Sequence, residues 1–273
     1  MPEGPEIWRA AQKLSNALED RKVENISFTF PELQEYESKL ANEKIISVEP
    51  RGKAIITSFS SRLAIYSHNQ LYGKWYVRER GNKPETNRQL RITIHNNDHS
   101  AYLYSASDIE ILPEDEVDKH DYIKKLGPDV VHPDTTIGDI LSQYKSAKYQ
   151  NRKITTLLLD QGFLSGVGNY LRSEILFYAN VYPFYKLKRY SSEAKQRLAK
   201  ASLDLSRRSF KTKGITNDPE IVEALKRENA PRSEYRHFVY NRTGNRCYKC
   251  GTNIEEDKTG GRKVYFCPSC QAE

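Results

Sequence analysis

The spacing of apolar residues changes twice along the chain. Ile7, Ala10, Ala11, Leu14, Ala17 and Leu18 recur at helical intervals and predict an amphipathic helix after the PEGPE start. From Val23 to Leu112 the period falls to two. Short runs rich in β-branched and aromatic residues (ENISFTF, KIISVEP, AIITSFS, RLAIYS, KWYVRE, QLRITIH, AYLYS) alternate there with Gly, Pro, Asn and Ser turns. Such closely spaced strands predict an antiparallel sandwich or barrel. Beyond Gly127-Pro128 the pattern becomes helical, and HPDTT at residues 132–136 supplies polar capping residues. Helices are predicted over residues 137–146, 153–161, 170–180 and 191–209. Residues 211–236 are charged and weakly periodic, so they form either a loop or a short helix over 219–228. The expected class is α+β with three parts: a β-rich domain over residues 1–125, a helical domain over 126–236 and a cysteine-bearing module over 237–273.

Charge narrows the partner. The chain of 273 residues carries a net charge of +7. Between Ser142 and Ile215 there are 15 Lys or Arg against 4 Asp or Glu, a local +11 that leaves the remainder at −4. A positive field confined to one region favours a polyanion such as nucleic acid. No apolar run approaches the roughly 20 residues that span a bilayer, and MPEGPEIWRA lacks the pattern of a secretory leader. A soluble, cytoplasmic protein with no membrane partner is expected.

All four cysteines lie near the C-terminus as two CxxC pairs, Cys247/Cys250 and Cys267/Cys270. Two such turns present four thiolates at the corners of the tetrahedron that zinc prefers, and a site of four thiolates is closed and structural. The ion would hold a β-hairpin whose tip is Gly260-Gly261, with Arg262, Lys263 and Tyr265 on the returning strand. A second motif, GFLSGVGNYLRSEIL at residues 162–176, joins two apolar-periodic stretches through a glycine-rich turn. A helix beginning near Tyr170 aims N–H groups at a ligand that a phosphate would fit, and Asn169 at its N-cap has a side-chain amide suited to the same phosphate. An ordinary helical corner with a capping Asn is the plainer reading. The third motif is the start itself. Removal of Met1 leaves Pro2 as a secondary amine, and much of a terminal amino group with a pKa of about 7.7–8.0 is unprotonated at cellular pH and available as a nucleophile. Glu3 and Glu6 add carboxylates for proton transfer. Lys53, in RGK between two strands, is by default a solvated turn lysine. Gln70, Leu71 and Tyr72, in SHNQLYG, form a polar loop with an apolar pair of the kind that wedges into a base stack.

In this order, PEGPE, GVGNY and the terminal four-cysteine module resemble the formamidopyrimidine-DNA glycosylase/endonuclease VIII family, and the likeness runs from Pro2 to Cys270. The resemblance implies an N-terminal antiparallel β-sandwich with flanking helices, then a helical domain with a helix-two-turns-helix motif and a zinc finger, and DNA in the cleft between. It implies that Pro2 forms a Schiff base and that Glu3 is the catalytic acid. Lys53 would assist β-elimination. Arg262 would bind the phosphate beside the lesion and support δ-elimination, and Asn169 would share that contact. The loop SHNQLYG and the segment LYSASDIEIL resemble endonuclease VIII rather than the purine-specific branch. Gln70, Leu71 and Tyr72 would then fill the space left by a flipped nucleotide, and oxidised pyrimidines such as thymine glycol and dihydrouracil would be the substrates. Lys125 stands where the endonuclease VIII pattern has arginine, which keeps the charge but loses the bidentate geometry. A monomer acting on damaged double-stranded DNA is expected, with one structural zinc, no small-molecule cofactor and a place at the bacterial nucleoid. Two rivals remain open: an 8-oxoguanine/formamidopyrimidine enzyme of the same family, and a non-catalytic zinc-finger DNA-binding protein.

Overall fold

The apolar stripe of the first helix sets one wall of the N-terminal core. In a computed structural model that describes residues 2–272, α1 (Gly4–Leu18) buries Ile7, Ala11, Leu14, Ala17 and Leu18. Burying one such leucine contributes about 1.5–3 kcal/mol. The helix starts earlier than its apolar spacing predicts, because Pro5 sits in the first turn, where no backbone donor is needed. After it come β1 (Asn25–Phe28), α2 (Glu37–Leu40), β2 (Ile45–Arg51), β3 (Ala54–Phe59), β4 (Leu63–His68), β5 (Lys74–Glu79), β6 (Leu90–His95), β7 (His99–Tyr104) and β8 (Asp108–Pro113). The strands form two four-stranded antiparallel sheets, ordered β1-β6-β7-β5 and β2-β3-β4-β8. Ile26, Ile94 and Leu103 of the first sheet share one core with Val48, Ile55 and Ile65 of the second, so the architecture is a sandwich.

Strand β8 is an addition to the seven predicted runs. Its acidic residues Asp108 and Glu110 disguise a strand that pairs in full register with β4, from Leu63 opposite Pro113 to His68 opposite Asp108. Strand β3 is buried on both faces. Ile55 faces the sandwich core, whereas Ala54 and Ile56 join Tyr66, Val117 and Ile123 in a second cluster on the opposite side.

The chain divides into two units, Met1–Pro2 with Glu6–Lys125 and Glu3–Pro5 with Leu126–Glu273. Helices of the second unit begin with α3 (Ile137–Lys145), where Thr136 and Asp139 form a reciprocal capping box at the predicted HPDTT start. The helix expected over 153–161 is a single turn, α4 (Ile154–Leu157). Beyond it Asp160 draws the chain into a turn by accepting the Gly162 N–H at 2.9 Å and an Arg152 guanidinium N–H at 2.6 Å. Then follow α5 (Asn169–Tyr178), α6 (Ser192–Lys211), α7 (Pro219–Arg227) and α8 (Arg232–Tyr235). The polar stretch 211–236 therefore carries the short helix expected as one of its two alternatives, α7, and a further turn, α8. The hairpin of β9 (Glu255–Thr259) and β10 (Arg262–Phe266) turns at Gly260 and Gly261, both at positive φ. No described helix is long and apolar enough to cross a membrane.

Helix α5 carries two fully buried charged residues, Arg172 and Glu174. The Glu174 carboxylate accepts the N–H groups of Phe238, Val239 and Tyr240 at 2.8, 2.9 and 2.9 Å, and a hydrogen bond from the Thr216 hydroxyl. His237 shares its Nδ1 with that hydroxyl at 2.9 Å. Burial, reinforced by the charges of Arg236, Arg232 and Arg242, holds the His237 ring well below its usual range. A histidine kept neutral in the fold contributes its full stability above its unfolded pKa of about 6.5, and that contribution drains away as pH falls below that value. The expected outcome is that His237→Gln flattens the fall in thermal midpoint between about pH 7 and about pH 5. Equal slopes for wild type and variant would contradict the assignment.

Candidate functional site

In the second unit the two glycine-bearing motifs form one assembly. Glu3 is buried, and its carboxylate accepts the N–H of Gly168 at 2.8 Å, of Tyr170 at 2.8 Å and of Leu171 at 3.2 Å. These are the donors at the N-terminus of α5. The expectation that they face a phosphate is therefore corrected: the anion they hold is the side chain of Glu3. Gly168 is the N-cap and Asn169 the first helical residue, so Asn169 is not the cap either. Both glycines of the turn are needed for close approach. A Cβ on Gly168 would lie 2.5 Å from Glu3 Oε1, and one on Gly4 would lie 2.8 Å from the Gly166 Cα. Gly4 N–H also bonds the Gly166 carbonyl at 2.7 Å.

Freed from capping, the Asn169 side chain points into a different network. Its Oδ1 accepts from Arg172 Nη2 at 2.7 Å, and the same Nη2 bonds the Lys263 carbonyl at 2.7 Å and the Arg262 carbonyl at 3.4 Å. Arg172 thus ties the start of α5 to the tip of the β9-β10 hairpin, where the Arg262 side chain is exposed. Burial and the nearby Arg262 charge push the Arg172 guanidinium down to about 10, so it remains cationic at neutral pH. No motif announces Arg172. Its one signal in the sequence is a charge within an otherwise apolar helix, which is the mark of a buried, engaged group.

The cysteine cluster flanks the same hairpin, two cysteines before it and two after. The sulfurs of Cys247, Cys250, Cys267 and Cys270 all lie within 4.8 Å of one another, with Cys247–Cys270 at 3.9 Å and Cys250–Cys267 at 3.4 Å. A tetrahedron built on metal–sulfur bonds of about 2.3 Å has edges of about 3.8 Å, so the four residues fit one ion.

The first unit holds the other group of candidates. Pro2 lines a pocket of about 380 Å³ whose opposite rim is the loop carrying Leu71 and Tyr72, with Glu6 and Arg9 on its α1 wall. Leu71 and Tyr72 are 50% and 66% exposed, so neither is held in a core. Three features preorganise their loop. Gln70 sits at φ +46, its N–H donates to His68 Nδ1 at 3.0 Å, and its Oε1 accepts from Ser107 at 2.8 Å. Gly73 N–H closes the turn on the Asn69 carbonyl at 2.7 Å, and a Cβ there would meet that oxygen at 2.5 Å. Burial holds the His68 ring below its usual range; nearby Asp108 opposes this and the Lys53 ammonium adds to it. The neutral ring can then keep Nδ1 as an acceptor. Lys53 is 6% exposed and its N–H bonds the Tyr122 hydroxyl at 3.0 Å, which removes the reading of a solvated turn lysine. Lys125 is exposed at the end of a short 3-10 turn. Loss of Met1 concerns a residue outside the described ones.

Residues 1–105 match the formamidopyrimidine-DNA glycosylase N-terminal domain, and residues 126–219 match the formamidopyrimidine-DNA glycosylase H2TH domain. The chain belongs to the formamidopyrimidine-DNA glycosylase/endonuclease VIII family. It is a DNA glycosylase of that family. Endonuclease 8 of Klebsiella pneumoniae is 41% identical over 271 residues, covering 99% of this chain and 100% of that relative. Endonuclease 8 of an Escherichia coli strain is 41% identical over the same span. In fold, the chain is similar to the Lactococcus lactis formamidopyrimidine-DNA glycosylase solved with DNA containing an AP site, with a TM-score of 0.80 at 22% identity over 99% of this chain and all of that one.

Proposed function

We propose that this family member excises oxidised pyrimidines from duplex DNA and then cleaves the strand as an AP lyase, with Pro2 as the nucleophile. The observation that carries this reading is Pro2 on the wall of a nucleotide-sized pocket rimmed by the exposed pair Leu71 and Tyr72. Insertion of Gln70, Leu71 and Tyr72 offsets the loss of stacking when the damaged nucleotide leaves the helix. The Pro2 nitrogen attacks C1′, the C1′–N bond to the base breaks, and an iminium forms between Pro2 and the sugar.

Proton transfer falls to Glu3. Three N–H donors favour its carboxylate form, so it first takes the proton from the Pro2 ammonium. As a carboxylic acid it then supplies the proton that assists base loss and ring opening. The iminium acidifies C2′, whose proton leaves as the 3′ phosphate is expelled, and a second elimination expels the 5′ phosphate. Lys53 assists the first elimination, and Arg262 with Asn169 binds the phosphate beside the lesion. Lys125 contributes a single-point phosphate contact. Cys247, Cys250, Cys267 and Cys270 would hold one zinc, which would support the Arg262 hairpin structurally rather than take part in the reaction. The parts over residues 1–125, 126–236 and 237–273 would act as catalytic, DNA-binding and phosphate-clamping modules of a monomer.

Borohydride is expected to trap a covalent adduct between the protein and a thymine glycol duplex, faster than with an 8-oxoguanine duplex. Pro2→Gly, which replaces the ring nitrogen by a primary amine, should slow strand cleavage by about tenfold or more, a barrier increase of at least about 1.4 kcal/mol. Full-rate cleavage by that variant would remove Pro2 from the mechanism, and faster trapping on 8-oxoguanine would assign the other branch of the family. For the metal, elemental analysis should find one zinc per chain in wild type and less in Cys267→Ser, with a lowered thermal midpoint on chelation. A metal-free protein of unchanged stability would contradict the zinc assignment.

A further inference from the structure

A cluster of titratable side chains that the mechanism above does not use lies beside Lys53. On β4, Tyr66 and His68 are two residues apart and share one face of the strand. Tyr122 meets both rings edge-on, with centroids 6.3 Å and 5.1 Å away. His120 holds the Tyr122 backbone: its Nδ1 accepts the Tyr122 N–H at 3.2 Å, its Nε2 lies 3.3 Å from a Glu110 carboxylate oxygen, and its ring centroid is 4.2 Å from that of Tyr66. Tyr122 also packs against the second cluster, which contains Ala54 and Ile56. Anchored in this way, the Tyr122 hydroxyl accepts the backbone N–H of Lys53 at 3.0 Å.

That N–H needs a partner. Arg51 pairs with Ala54, so Gly52 and Lys53 form a two-residue turn, with Gly52 at φ +62. In such a hairpin the N–H of the second turn residue has no place in the ladder, and at a buried site it is costly to leave unmet. The hydrogen bond fixes the plane of the Gly52–Lys53 peptide, and with it the direction in which the buried Lys53 side chain leaves the turn.

We propose that Tyr122 is a positioning residue for Lys53, its hydroxyl setting the aim of the lysine that assists the first elimination. The assignment rests on the role given to Lys53 above and adds to it a residue that no motif marks. The same Tyr122 ring meets His68, whose Nδ1 accepts the Gln70 N–H at 3.0 Å, so the turn of Lys53 and the loop of Leu71 and Tyr72 share one neighbour.

Tyr122→Phe keeps the ring and removes only the hydroxyl. In single-turnover assays it should slow strand cleavage at a preformed abasic site about fivefold, while base release from a dihydrouracil duplex stays within about twofold of wild type. In a Lys53→Ala background, where no ammonium remains to aim, the same change should have no further effect. A merely structural role would lower both reactions and act equally in either background. Full-rate cleavage by Tyr122→Phe, base release falling in step with cleavage, or an undiminished effect in the Lys53→Ala background would overturn the proposal. Full-rate cleavage by Lys53→Ala itself would reject the reading of Lys53 beneath it, and the proposal with it.

Discussion

The second unit is organised by one buried carboxylate. Glu3 takes three backbone N–H groups at the start of α5, which would otherwise be orphaned donors at a helix N-terminus. The positive end of the helix dipole favours that anion. Its position requires a backbone with no side chain at Gly168 and a close crossing of Gly4 over Gly166. PEGPE and GVGNY therefore need one another: the first provides the carboxylate and the second the space and the donors. Since Pro2 precedes Glu3 in the chain, the constraint that seats the Glu3 carboxylate also fixes the residue next to Pro2.

Helix α5 extends this arrangement through its two buried charges. Arg172 faces Asn169 and the carbonyls of Lys263 and Arg262, and Glu174 gathers the backbone of Phe238, Val239 and Tyr240. Removing either partner would leave a buried charge or several buried N–H groups unmet, which is costly in a low-dielectric interior. Ser173 adds a third tie by accepting the Tyr265 N–H at 3.2 Å. One helix thus sets the position of the β9-β10 hairpin and of the segment leading into it. The four cysteines gather at the base of the hairpin, and Arg172 holds its tip.

Much of this was legible in the sequence, for identifiable reasons. Period-two alternation exposed seven strands, and the eighth escaped because Asp108 and Glu110 dilute the apolar signal of Ile109 and Ile111. Helix α1 followed from its stripe, and the CxxC spacing marked the metal cluster without any knowledge of the fold. Two of the failures share a cause: each depends on a partner distant in sequence. The donors of α5 were assigned to a phosphate because nothing local shows that Glu3, 165 residues from Gly168, occupies them. Lys53 passed for a solvated turn residue because the Tyr122 hydroxyl that meets its N–H comes from 69 residues away. The stretch 153–161 kept helical spacing, yet Asp160 satisfies the backbone locally and ends the helix after one turn. Leu71 and Tyr72 were the reverse case. Their exposure, unusual for such side chains, removes the reading of core packing.

The central claim is that Glu3, rather than solvent or a bound anion, caps α5. Amide hydrogen exchange of wild type and Glu3→Ala reads this directly. Slow exchange at Gly168, Tyr170 and Leu171 is expected in wild type, with protection at those three amides lost in the variant while residues 174–178 of α5 stay protected. Unchanged protection at the three amides in Glu3→Ala would contradict the account.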